Sequence, residues 1–78
     1  MMQYGVAVFN TDSMVIWAWK LLAENRHAIK IIPKPEEYDS KSSIALQFDW
    51  NQRQQLNNEL SSANVEIEAI FFLNMPAI

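Results

Sequence analysis

Two adjacent hydroxyls, Ser42 and Ser43, stand seven residues beyond a Pro33-Lys34-Pro35 turn and are the first candidates for nucleophilic chemistry in this chain. The one histidine, His27, is the only side chain whose ordinary titration range makes it a base near neutral pH. An activated serine needs that base within hydrogen-bond reach, with a third group to orient it. The sequence supplies no third group. His27 falls at the end of an expected helix, where an exposed, protonated imidazole is favourable. Glu36, Glu37 and Asp39 crowd one loop, but carboxylate metal sites need several ligands converging on one ion. This loop lacks the glycine and regular spacing of a calcium loop and reads as solvated. Glu66 and Glu68 lie two apart on an expected strand and so point the same way, as on a water-facing edge. There is no cysteine, which excludes disulfides and thiolate metal sites. The chain is therefore read as a non-enzyme, with no catalytic residue, no metal and no cofactor.

The elements that position these residues follow from hydropathy patterning. Tyr4 to Phe9 is rich in β-branched and aromatic residues and runs into Asn10-Thr11-Asp12, a strand leading into a helix cap. From Ser13 to about Asn25 the spacing is helical, with Met14, Ala18, Leu21, Leu22 and Asn25 on one face. Ala28 to Ile32 is a second strand, closed by Pro33 and Pro35, which remove backbone donors and keep the chain extended. After a polar loop from Glu36 to Lys41, Ser43 to Phe48 alternates, with Ile44, Leu46 and Phe48 on one face. Asp49 and Gln52 have the spacing of a capping box, and a polar helix from Trp50 to about Ser62 is anchored by Leu56 and Leu60. A last strand spans Val65 to Leu73. The order βαββαβ predicts an α+β, ferredoxin-like domain with a four-stranded antiparallel sheet and two helices on one face. Seventy-eight residues make one domain, with a core over about residues 4–73 and an apolar tail over 74–78.

Several of these stretches resemble the selenium/sulfur carrier-like family of small bacterial proteins. Phe9, Thr11, Leu21-Leu22, Ile32-Pro33-Lys34-Pro35 and Ile44-Ala45-Leu46-Gln47-Phe48 fall in register with the family pattern, from about Tyr4 to Leu73. The resemblance implies a carrier whose Cys-Gly pair opens the third strand. Here those positions hold Ser42 and Ser43, and the family's arginine in that strand is Gln47. A carrier needs a thiolate able to hold a persulfide or selenosulfide; a hydroxyl cannot form that linkage. What the resemblance then implies is a carrier-like scaffold that has lost its thiol. Pro33, Lys34, Pro35, Ser42 and Ser43 would form a loop able to hold a small ligand or peptide if the family's pocket persists.

Composition points to binding. Half of the residues are hydrophobic, and three Trp with four Phe are hard to bury in so short a chain, so some must reach the surface, where contiguous apolar area marks interaction. If Met14, Ala18, Leu21 and Leu22 face the sheet, Ile16 and Trp19 fall on the opposite side of the first helix and Trp17 on a flank. In the family the positions of Trp17 and Trp19 tend to be Lys and Glu. Ile16, Trp17, Trp19, Phe72 and Met75 are the expected partner contacts. The formal charge is −3 and the six basic residues are scattered, which argues against nucleic acid. The apolar run Met14 to Trp19 is far short of the roughly 20 residues of a membrane span. A cytoplasmic protein follows, peripheral to a larger complex at most. Its expected role is a protein-binding module or accessory subunit, with another protein or a second copy as partner. The alternatives are a regulatory domain for a small ligand and a sulfur- or selenium-transfer accessory that uses a partner's cysteine.

Overall fold

The computed structural model describes residues 3–73. Its elements are β1 (Tyr4–Val8), α1 (Asp12–Glu24), β2 (Ile29–Pro33), β3 (Ile44–Asp49), a 3-10 turn (Trp50–Gln52), α2 (Arg53–Ser62) and β4 (Ala69–Leu73). The strands form one antiparallel sheet in the order β2-β3-β1-β4. This is the ferredoxin-like α+β arrangement predicted from the element order.

Strand alternation sorts side chains onto two faces. Ala7, Leu46 and Phe48, with Phe9 just beyond β1, face the helices and meet Val15, Ala18 and Leu22 of α1 and Leu56 and Leu60 of α2 in the main core. Burying a side chain the size of Phe9 or Phe48 contributes about 1.5–3 kcal/mol. The opposite face is also apolar: Val6, Val8, Ile32 and Ala45 are buried, with Tyr38, Phe71 and Leu73 packed beside them. Tyr38 stacks on Phe71 with ring centroids 3.8 Å apart and planes within 5°. The loop after Pro35 is thereby fixed against β4.

Gly5, the only glycine, lies between Phe48 on β3 and Phe72 on β4. A Cβ there would come within 2.6 Å of Phe48 Cζ and 2.8 Å of Trp50 Cε3. The glycine is required by the rings that pass over it, since native packing leaves no slack for even one methyl group.

Thr11 caps α1 as expected, its hydroxyl accepting from the Met14 amide at 3.2 Å. Three local expectations are corrected. The buried stripe of α1 is Val15, Ala18 and Leu22, with Met14 and Leu21 half-buried; the helix is rotated so that Val15 enters the core. The capping box does not close: Asp49 accepts from the Asn51 amide at 3.1 Å, Gln52 turns to His27, and the chain passes through a 3-10 turn before α2 begins. Val65 to Glu68 is not strand. Asn64 adopts a left-handed φ of 60° after α2, and the Val65 amide donates back to the Leu60 carbonyl at 2.8 Å. That interaction turns Val65 into the core instead of along the sheet edge. Among the described residues no helix is long and apolar enough to cross a membrane.

Candidate functional site

The end of the molecule that carries Ser42 is held by a continuous set of hydrogen bonds. The Lys34 amide donates to the Ser43 carbonyl at 3.0 Å and prolongs the β2–β3 pairing past Pro33. Lys34 Nζ donates to the Ser40 carbonyl at 2.9 Å. Ser40 Oγ lies 2.6 Å from the Phe9 carbonyl, 3.2 Å from Glu68 Oε2 and 3.3 Å from Ser42 Oγ. Ser42, 3% exposed, donates its hydroxyl to the Ile44 carbonyl at 3.0 Å. Asp12, in the first turn of α1, accepts from the Ser43 amide at 2.7 Å, the Ser43 hydroxyl at 2.8 Å and the Ile44 amide at 3.3 Å. These bonds, the Ser43 hydroxyl above all and then its amide, hold the Asp12 carboxyl below the usual aspartate range.

Sequence reasoning singled out Pro33, Lys34, Pro35, Ser42 and Ser43. The structure brings Lys34, Ser42 and Ser43 into one network and leaves Pro33 exposed at the end of β2. It also adds Asp12 and Ser40, which no motif marked, and Glu68, read from the sequence only as part of a water-facing edge; the signal for Asp12 was an acidic residue after the helix cap, which reads as an ordinary first-turn charge. Among the described residues every buried side-chain nitrogen and oxygen has a hydrogen-bond partner. The neighbouring groove, about 310 Å³, is walled by Asn10, Met14, Glu66 and Glu68, and Ser42 does not line it.

His27 belongs to a separate cluster, and the exposed position expected for it is corrected. Its side chain is 4% exposed. Nε2 donates to the Glu59 carboxylate, Nδ1 lies 3.1 Å from Gln52 Oε1, and Asn25 Nδ2 donates to Glu59 Oε1 at 2.5 Å. Arg26, with φ 64°, reverses the chain and turns the imidazole toward α2. His27 precedes β2, whereas Ser42 precedes β3, the antiparallel neighbour in which Pro33 pairs with Ile44. A strand's length therefore separates imidazole from hydroxyl, and the pair is not a nucleophile and its base.

Four large apolar side chains are exposed: Trp17 (59%), Phe72 (44%), Ile16 (43%) and Trp19 (37%). They do not form one patch. On a helix of 100° per residue, Trp17 adjoins Leu21 on the flank that Asn25 turns toward α2. Ile16 and Trp19 lie on the other flank. Phe72 is across the molecule on β4, its ring in edge contact with Trp50 at 5.2 Å, while Arg53 lies 4.7 Å over the Trp50 ring. Met75 and the tail 74–78 lie outside the described residues.

A family model described as "Putative Se/S carrier protein-like" matches residues 4–71. No curated protein and no solved structure matches the chain.

Proposed function

Because the chain belongs to the Se/S carrier protein-like family and yet has no cysteine, we propose that it is a non-enzymatic protein-binding module, an accessory subunit on a carrier-like scaffold. The observation that carries the binding role is the exposure of Trp17, Trp19, Ile16 and Phe72 on so small a domain. Tryptophan is enriched at interface hot spots, where one truncation costs about 2 kcal/mol or more. The loss of carrier chemistry is supported by Ser42, whose hydroxyl is buried and committed to the Ile44 carbonyl. The protein works in the cytoplasm, peripheral to a larger assembly, without nucleic acid and without a cofactor.

The test is gentle affinity purification of the tagged protein from its native host, followed by mass spectrometry and the native mass of what elutes. A stoichiometric partner is expected, lost in Trp17→Lys or Trp19→Lys while far-ultraviolet circular dichroism stays unchanged. Recovery of the same partner with both variants would remove the α1 tryptophans from the interface. Recovery of no partner at all would sink the accessory role.

A further inference from the structure

The two edges of the sheet differ. β2 ends in Pro33 and carries Lys30, both features that discourage pairing with another strand. β4, Ala-Ile-Phe-Phe-Leu, carries neither a charge nor a proline, and β1 is its one neighbour among the described strands. The Trp50 amide donates to the Gln3 carbonyl, which with the β1–β3 register directs the main-chain groups of Gly5 and Ala7 toward β3. Tyr4, Val6 and Val8 must then serve β4, through Leu73, Phe71 and Ala69. The Glu68 amide donating to the Val8 carbonyl at 2.8 Å agrees with this direction. Ile70 and Phe72 are left with their N–H and C=O groups aimed outward from the edge.

From this pattern we propose that β4 pairs antiparallel with β4 of a second copy, about a two-fold axis at Phe71. The proposal rests on the protein-binding reading and names one partner for Phe72. In this register Ile70 and the second copy's Phe72 form a hydrogen-bonded pair on each side of the axis. All four outward main-chain groups of each strand are satisfied, through four hydrogen bonds across the interface. The side chains agree with the main chain. Ile70 and Phe72 both lie on the helix side of the sheet, and the open groove beside Ile70, about 400 Å³, is lined by Ile67, Ala69 and Ile70 together with Arg53, Gln54 and Asn57. The register brings the second copy's exposed Phe72 to the mouth of that groove, and symmetry repeats the contact. Glu66 and Glu68 precede the strand, so no charge is brought to the axis. The interface is isologous and closes at two copies, giving a continuous eight-stranded sheet.

The experiment is sedimentation equilibrium of the full chain, with amide hydrogen exchange read residue by residue. A mass of about twice 9.1 kDa is expected, with Ile70 and Phe72 amides protected and that protection fading on dilution. In Phe72→Lys the dissociation constant should rise by at least about 30-fold, the factor for one hot-spot residue. The circular dichroism of the variant should match the parent. Should Phe72→Lys unfold, Phe72→Thr, which suits an edge strand but lacks the ring, takes its place with the same expected loss. A monomer at all concentrations overturns the pairing, as does a dimer in which the Ile70 and Phe72 amides exchange freely. A monomer that still captures a foreign partner through Trp17 or Trp19 overturns this proposal alone. A β4-paired dimer that captures nothing supports it and overturns only the accessory role.

Discussion

Gly5 and Asp12 show how much single positions decide here. Gly5→Ala would place a methyl group inside contact distance of Phe48 and Trp50, and overpacking of this kind costs about 1–3 kcal/mol. Urea denaturation should show a lower midpoint with an unchanged slope. Asp12 works through charge. Its folded carboxyl is held below the usual range by Ser43 and Ile44, so its contribution is present above the unfolded value and disappears as pH falls through the folded one. Asp12→Asn should be less stable than the parent at neutral pH, and the gap should close as pH drops below about 4. A gap that stays constant to low pH would show that the carboxylate charge does not matter. Neither role was legible in the sequence. A glycine in a strand and an acidic residue in a first turn are both ordinary until the residues opposite them, distant in the chain, are known.

At the scale of elements, patterning was a good guide where periodicity had one interpretation. Four strands and two helices were expected, and the Thr11 cap is present. It failed where local alternation competed with a turn. Val65, Ile67 and Ala69 alternate with Glu66 and Glu68 as a strand should, yet the left-handed Asn64 and the bond from the Val65 amide to Leu60 claim the first of these residues. His27 was misplaced for a related reason: its partners, Gln52 in the 3-10 turn and Glu59 on α2, are more than twenty residues away. The loop from Pro33 to Ser43 was recognised as a unit by its resemblance to the family, but its closure by Asp12, Ser40 and Glu68 could not be read from spacing. That closure carries its own prediction. Ser42→Cys restores a sulfur at the family's position, and its alkylation in the folded protein should be much slower than in urea, because burial and not only chemistry shields the site. Rapid reaction of the folded variant would reinstate an accessible carrier pocket and weaken the lost-carrier reading.

For the molecule as a whole, a domain of this size is only marginally stable by itself, and partners that bind the folded form raise its apparent stability by mass action. The midpoint of thermal unfolding should therefore rise with protein concentration in the parent chain, and in Phe72→Lys the same rise should need concentrations higher by at least about 30-fold. Overall architecture was the most legible level, since element order alone limits the topologies. The placement of the exposed aromatics was the least legible. Helical spacing could say that some tryptophan must meet water, but not that Trp17 and Trp19 sit on opposite flanks of α1 with Phe72 on the edge strand β4. One aromatic differs from these. Trp50 is half-buried, in edge contact with Phe72 and with Arg53 over its ring. With Trp17 and Trp19 replaced by phenylalanine, the chain would hold a single indole fluorophore, seated against the β4 edge. A shift of its emission to shorter wavelength would register water leaving that edge, so assembly could be followed by light in a protein carrying no attached dye.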